Sequence, residues 1–392
     1  MYDEITMQKS TFVPVVSLIT FTGFLDTHLL IPVMSLFASG LGMDVGVVGV
    51  IVGLYSIVNT PANIVFGRLV DRIGAKRLLI LGLVLDAISM FLYTLVSLPW
   101  HLGLVRILHG FSGGIVGPSS MSAMMTTGDG RSHSRTMAAY GMALAAATLV
   151  GYGLGGVLAS WSGYDSVFLT GGGLLIAGLV LVFFLPGHKP GFLPTQTREK
   201  TWTKTAGLLR RRTLIGPYAT VFAQYFSLGG VVTLLPLYVR NLGLEAVHTG
   251  ISMAAFSVMF LLIQIPVSRM RNGYDKSLLT ITGILLGIVA LLLLPLAEEF
   301  AFIALCMGLY GISHGLMFPS ISAMVAENTA PEERGLGTGI FHALLTGGVA
   351  AGAPIMGWTG GYIGLEWGLA ASSGLLAMAL VAIIVTRTGH GE

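Results

Sequence analysis

Long apolar segments dominate this chain and fix its fold class. Of the 392 residues, 54% are hydrophobic and 10% are charged, whereas an ordinary soluble domain carries roughly 25% charged residues. The apolar residues come in unbroken runs, so a β-barrel built from alternating strands of about 10 residues is excluded. A run of about 20 apolar residues spans a bilayer as a helix. The sequence therefore predicts an all-α polytopic membrane protein and excludes a soluble domain, a disordered chain and a nucleic-acid-binding protein.

Polar, glycine-marked and proline-marked breaks divide the chain into twelve such segments. With both termini on the cytoplasmic side, nineteen of the 21 lysines and arginines fall in cytoplasmic loops and termini, as the positive-inside rule requires. We therefore expect a multi-pass protein of the cell (inner or cytoplasmic) membrane. The predicted spans are 12–38, 45–66, 78–97, 100–125, 136–160, 166–186, 214–240, 247–268, 277–296, 300–326, 335–358 and 363–386.

An internal repeat at an offset near 200 residues divides the chain into two halves. His109-Gly110 followed by Pro118-Ser119 in the fourth span is echoed by His314-Gly315 followed by Pro319-Ser320 in the tenth. The longest polar segment lies between the sixth and seventh spans. We predict pseudo-symmetric six-helix halves at 1–186 and 214–392, joined by a cytoplasmic linker at 187–213. Parallel repeats of this kind place a substrate site between the halves, near mid-membrane.

The segment 67–77, GRLVDRIGAKR, follows the second span. It resembles the signature that the major facilitator superfamily carries in the loop between its second and third helices, and the likeness extends over the whole chain. The resemblance implies transport by alternating access, with a latch that forms in one access state and breaks in the other. Gly67 is expected to allow close helix approach and Gly74 a tight turn. The matching latch residues are Gly67, Asp71, Arg72, Gly74 and Lys76.

Three charged residues lie within predicted spans, namely Asp26 in the first, Asp86 in the third and Arg106 in the fourth. Intramembrane charges are costly and point to function. The segment 106–113, RILHGFSG, which begins at Arg106, also resembles the fourth-helix signature of proton-coupled members of the superfamily. We predict that an Asp26–Arg106 pair competes with a proton or a cationic substrate, and we add Asp86 and the titratable His109 to this coupling group.

Polar and aromatic side chains at helical spacing are candidates for lining the substrate cavity. Asn59 and Asn63 are one turn apart and face the same way. His314 occupies the place in the tenth span that His109 has in the fourth. The predicted cavity residues are Asn59, Asn63, Gln224, Tyr225, Gln264, His314, Phe318 and His342.

The fifth span carries a glycine motif that resembles the one found in exporters of the superfamily. Gly151, Gly155 and Gly156 are retained and predict a close helix contact. Ala147 replaces the first glycine and Tyr152 replaces the proline that would kink the helix. The motif thus supports an exporter only in part.

We expect a secondary transporter, most like the twelve-helix drug:proton antiporters, that exports small, partly hydrophobic compounds. The alternative is a proton-coupled importer or facilitator of a small metabolite, and copper uptake or lipid handling rank lower. No nucleophile–base arrangement or metal-ligand spacing points to an enzyme. The expected driving force is a proton gradient without any cofactor or metal. The expected partners are the substrate and the lipid bilayer, with a monomeric chain and no nucleic acid.

Overall fold

The computed structural model describes residues 12–127, 133–185, 198–268, 270, 275–330 and 332–388. Over these residues the regular structure is helical, with one 3₁₀ turn at Leu294–Leu296. Each of the twelve segments predicted from the sequence contains α-helix. The helices are α1 Val13–Gly40, α2 Val45–Ile73, α3 Ala75–Tyr93, α4 Pro99–Thr127, α5 His133–Ser162, α6 Tyr164–Phe183, α7 Arg198–Arg210, α8 Arg212–Asn241, α9 Ala246–Ser268, α10 Lys276–Leu293, α11 Phe300–Glu327, α12 Arg334–Ile363, α13 Leu365–Ala371 and α14 Gly374–Thr388.

Ten helical segments in the described part of the chain are long and apolar enough to cross a membrane. One of them, Leu365–Arg387, takes in α13 and α14 together. Helices α3 and α4 are not among the ten. Helix α3 carries the charged residues Lys76, Arg77 and Asp86, and α4 is diluted by glycine, serine and histidine. The two predicted spans that are missing from these ten thus bear most of the predicted coupling residues.

The described residues fall into two compact units. The first comprises residues up to Gly42 and Leu54–Leu193, and the second comprises Met43–Gly53 and the residues from Pro194 onward. Within the first unit, α1 packs on α5 and α6, and α3 packs on α4 and α6. Within the second, α8 packs on α12 and α14, and α11 packs on α9 and α10. Of the predicted linker 187–213, residues 198–213 are described, and α7 occupies most of these.

The predicted latch segment is mostly helix and not a loop. Helix α2 continues to Ile73 and α3 starts at Ala75, so only Gly74 separates them, with φ at 94°. This left-handed conformation is one that glycine adopts without a steric penalty. The expectation for Gly67 was wrong, because a Cβ there would meet Pro118 at an ordinary 3.8 Å. Asp71 and Arg72 are exposed in the last turn of α2.

Lys76 has a structural contact that the sequence did not reveal. Its Nζ donates to the carbonyl of Phe183 at 3.0 Å and also to that of Leu185. These carbonyls lie at the C-terminal end of α6, where helices leave backbone acceptors without partners. A cation is also favoured there by the helix dipole. Lys76 therefore ties the start of α3 to the end of α6 within the first unit.

Ion pairs join the helix ends at one edge of the second unit. Arg211, which precedes α8, places Nη2 2.8 Å from Oε2 of Glu333, which precedes α12. Its Nη1 donates to the carbonyl of Asn328 at 2.9 Å. The hydrogen bond from Arg211 lowers the pKa of Glu333 below its ordinary value. Two further pairs at this edge are Lys276–Glu327 at 3.0 Å and Arg387–Asp275 at 2.7 Å.

We predict that Glu333→Gln lowers the melting temperature in detergent at neutral pH. A lowered folded-state pKa stabilises the fold above the ordinary carboxyl pKa, and this contribution is lost as pH falls through the folded-state value. The difference between wild type and variant should therefore be full at pH 7 and vanish in acid, and salt should reduce it because the pair is partly exposed. The neighbouring, exposed Glu332→Gln is the control. A difference that persists unchanged in acid would contradict the ion pair.

Candidate functional site

Three of the four predicted coupling residues meet inside the first unit. His109 of α4 places Nε2 3.0 Å from Oδ2 of Asp26 in α1 and 3.9 Å from Oδ1 of Asp86 in α3. Asp86 Oδ1 also accepts a hydrogen bond from the Ser112 hydroxyl. The side chains of Asp26, Asp86 and His109 are at most 1% exposed. The imidazole thus lies between two buried carboxyl groups from different helices.

Arg106 belongs to the same cluster and contacts its tyrosines. Its guanidinium lies over the ring of Tyr55, with Cζ 5.2 Å from the ring centroid. It also hydrogen-bonds with the Tyr93 hydroxyl, which in turn lies 3.1 Å from Nδ1 of His109. A hydrogen-bonded chain therefore runs from Arg106 through Tyr93 and His109 to Asp26. Such networks polarise each of their members in an interior of low dielectric.

Helical spacing explains why these residues meet. Arg106, His109 and Ser112 follow one another at intervals of three in α4, so they share a face. Asp86 and Tyr93 are seven residues, or two turns, apart in α3. Tyr93, Tyr55 and Ser112 are members of the cluster that were not predicted from the sequence. Tyr93 lies two turns after Asp86 in α3, and Ser112 lies six residues after Arg106 in α4. This spacing was a signal that could have identified both residues.

His28 lies apart from this cluster, although only one residue separates it from Asp26. Its Nδ1 donates to the carbonyl of Phe24 at 2.6 Å, and its Nε2 lies 3.1 Å from the Thr148 hydroxyl of α5. Its ring also packs against Tyr152 at 5.5 Å between centroids. Tyr152 is the residue that stands where the exporter motif has proline. Asp26 and His28 thus join α1 to α4 and to α5 on different faces.

The glycines of α5 lie directly on α1. A Cβ at Gly151 would come within 2.5 Å of His28 Cβ, and a Cβ at Gly155 would collide with the backbone carbonyl of Leu29. Gly155 and Gly156 are both buried. Small residues at these positions let two helix backbones approach closely, which is how helices associate in a membrane. The close contact with α1 therefore explains why α5 carries glycine at these positions.

We predict that Gly155→Ala destabilises the protein by about 1–3 kcal/mol, the usual cost of forcing an extra carbon into a packed contact. Gly153→Ala is the matched control, because nothing lies within 4 Å of a Cβ at that position of the same helix. Removing a glycine from an open helical position should stabilise by roughly 0.5–1 kcal/mol. Melting temperatures of the two purified variants in detergent should therefore move in opposite directions. Equal shifts would argue against the α1–α5 contact.

The predicted cavity residues of the first unit face α4. The Asn59 amide lies 3.1 Å from where a Cβ of Gly113 would be, and the Asn63 amide lies 3.2 Å from where a Cβ of Gly117 would be. The two asparagines therefore share a helix face, as their spacing predicts. Asn63 is exposed and Asn59 is half-buried.

Two of the predicted cavity residues in the second unit, Gln224 and Tyr225, lie beside a third, the buried His314. His314 donates from Nδ1 to the Tyr310 carbonyl at 3.2 Å, and its ring lies 6.2 Å from that of Tyr225 and 5.1 Å from that of Phe256. The Gln224 amide donates to the His314 carbonyl at 3.4 Å. Both His314 Nε2 and Gln224 Oε1 are buried without a hydrogen-bond partner.

The remaining predicted cavity residues of this unit lie outside that group. Gln264 donates to the Phe260 carbonyl of its own helix at 3.2 Å. The Phe318 ring packs on Phe341, with 5.7 Å between centroids. His342 is exposed on α12. Gln264 thus contacts the backbone of its own helix, Phe318 contacts another aromatic ring, and His342 is exposed.

Residues 16–274 and 220–391 match the sequence model of the Major Facilitator Superfamily. The chain belongs to that family. Family membership makes the protein a membrane transporter and not an enzyme.

Relatives of the chain include proteins named as a multi-drug resistance efflux pump and as a quinolone resistance protein. The chain is 24% identical to the multi-drug resistance efflux pump PmrA homolog of Lactococcus lactis, over 78% of this chain and 77% of that protein. It is 23% identical to the quinolone resistance protein NorA of Staphylococcus aureus, over 90% of both. In fold it is similar to a bacterial homolog of the human lysosomal transporter Spinster, with a TM-score of 0.82, 13% identity and 97% of each chain covered.

Proposed function

We propose that this protein is a proton-coupled exporter of small, partly hydrophobic compounds that works by alternating access. The observation that carries the proposal is the buried contact between His109 and Asp26, together with Arg106 in the same cluster. A carboxylate held among titratable and cationic groups in an apolar interior can gain and lose a proton during a transport cycle. The names of the efflux-pump relatives favour drug-like compounds as the substrate class.

The proposal includes a topology of twelve spans with both termini in the cytoplasm. The distribution of lysine and arginine supports this topology. Helices α3 and α4 would join the ten apolar segments as the remaining two spans. We attribute the charged residues of α3 and α4 to function and their small residues to close packing. The protein would then act as a monomer in the cell (inner or cytoplasmic) membrane and use the proton gradient directly. Asn59, Asn63, Gln224 and His314 are the polar groups that we assign to substrate contact.

Asp26→Asn should abolish proton-driven transport while leaving the fold intact, because the amide cannot release a proton. The assay is uptake of ethidium into inverted vesicles under an imposed pH gradient, where wild type should accumulate the dye and the variant should match empty vesicles. Asp165→Asn, which removes an exposed carboxylate at the start of α6, is the control. Gradient-driven uptake by the Asp26 variant at the wild-type rate would disprove the coupling role.

Asp71→Asn should slow the exchange between access states. We propose that the carboxylate at the end of α2 belongs to the latch, where it pairs in one state and is released in the other. Spin labels placed on the two halves would report the populations of the states by their distance distribution. The expected result is a shift of at least several-fold in the population ratio, with Asp165→Asn unchanged. Identical distributions in wild type and variant would remove Asp71 from the latch.

A second candidate function is import of a small metabolite. It is favoured by one observation, the replacement of the motif proline by Tyr152, whose ring packs on His28. Right-side-out and inverted vesicles distinguish the two directions, because an exporter accumulates substrate only in the inverted ones. Copper uptake has less support, since Met121 and Met125 of α4 are both exposed on the helix.

A further inference from the structure

The buried charges of the described residues do not cancel. They are Asp26, Asp86 and Arg106, all in the first unit. With every group ionised they carry one net negative charge, since His109 is neutral when it has a single proton. An uncompensated charge in an apolar interior is strongly unfavourable. One additional positive charge would balance the cluster.

The position for that charge lies between the two carboxyl groups. A carboxylate oxygen of Asp26, one of Asp86 and a ring nitrogen of His109 lie within 4.8 Å of one another. Asp86 Oδ1 accepts from Ser112, and Asp26 Oδ2 faces His109. The other oxygen of Asp26, Oδ1, is buried and has no hydrogen-bond partner. A buried acceptor of this kind is costly unless a proton or another donor reaches it.

His109 supplies a hydrogen bond here and needs no charge of its own. The Arg106 guanidinium can only donate, so the Tyr93 oxygen accepts from it. The Tyr93 hydroxyl can then donate to Nδ1 of His109. In this tautomer the imidazole proton is on Nε2, 3.0 Å from Asp26 and 3.9 Å from Asp86. With His109 neutral in this way, the additional positive charge falls on the carboxyl pair.

We propose that Asp26 and Asp86 share a single exchangeable proton, so that the two carboxyl groups form one proton-binding site and not two. The role of this proton in a transport cycle rests on the proposed proton-coupled function. The inference adds that the site binds one proton and that Asp86 is its second carboxyl group. Two like charges this close in an apolar site cannot both persist, and such pairs titrate as a unit. A divalent metal would leave the cluster with one excess positive charge, whereas one proton neutralises it.

The surroundings of the pair contain no further buried charge among the described residues. Helix α2 contributes the ring of Tyr55, and α6 contributes Phe168, which packs on Tyr93. The titratable and charged groups that face the pair or its neighbours are Tyr55, Tyr93, Arg106 and His109, whereas His28 lies on another face of α1 against Tyr152 of α5.

The test is a count of protons bound by the purified full-length protein, without substrate or gradient. Wild type, Asp26→Asn, Asp86→Asn and the double variant are titrated between about pH 5.5 and pH 9, where exposed carboxyl groups stay ionised. Each single variant and the double variant should bind one proton fewer than wild type, because every one of them removes the excess negative charge. The losses are thus equal and not additive. Asp165→Asn should bind as many as wild type.

Every other count would overturn the shared proton. A loss of two protons in the double variant would indicate independent sites, and no loss in Asp86→Asn would leave Asp26 as the sole carrier. A lower count in sodium chloride than in choline chloride would assign the site to Na⁺. Size-exclusion profiles show whether each variant is folded.

Wild type alone provides a second measurement that does not depend on the variants folding. Infrared difference spectra between high and low pH should show one slowly exchanging protonated carboxyl per molecule, and none or two would contradict the proposal. Both experiments are made at equilibrium, so they remain decisive even if the vesicle assay finds no proton-driven transport.

Discussion

Compensation of buried charge is the constraint on which the first unit depends. Asp26, Asp86 and Arg106 come from three different helices, and each would be costly in an apolar interior by itself. The contact between His109 Nε2 and Asp26 Oδ2 at 3.0 Å joins α1 to α4, and the interaction of Ser112 with Asp86 joins α4 to α3. The three helices are therefore positioned by polar contacts as much as by packing. A change of protonation at this point would act on all of them together.

Close backbone packing provides the second contact of α1. Lipid tails are as apolar as leucine side chains, so helices in a membrane gain little from hiding apolar surface from one another. Gly151 and Gly155 instead let α5 pack closely on α1. The hydrogen bond between His28 and Thr148 fixes how the two helices are oriented at this contact. Helix α1 is thus held by Asp26 on one face and by His28 on another. This arrangement connects the predicted coupling group to the helix that carries the exporter-like motif.

Sequence reasoning succeeded where one helix alone decides the outcome. Each of the twelve apolar runs predicted as spans contains α-helix, and spacing alone placed Asn59 and Asn63 on one face. It was less accurate at boundaries, because α2 continues to Ile73 through residues that read as a polar loop. Gly67 was interpreted as a contact glycine, yet its neighbour is at ordinary distance. Charge and glycine patterns indicate that a residue has a partner or a close contact, but they do not show which residue of another helix it contacts.

The sequence by itself determined that this protein is helical, resides in a membrane and carries three charges inside its predicted spans. These properties follow from composition and periodicity, which act along the chain. Only the tertiary structure decided that His109 contacts Asp26, that Tyr93 joins it to Arg106, and that Lys76 caps α6. Each of these contacts joins residues from different helices. The relative rotation and depth of two helices depend on side-chain packing between them, and no single stretch of sequence contains that information.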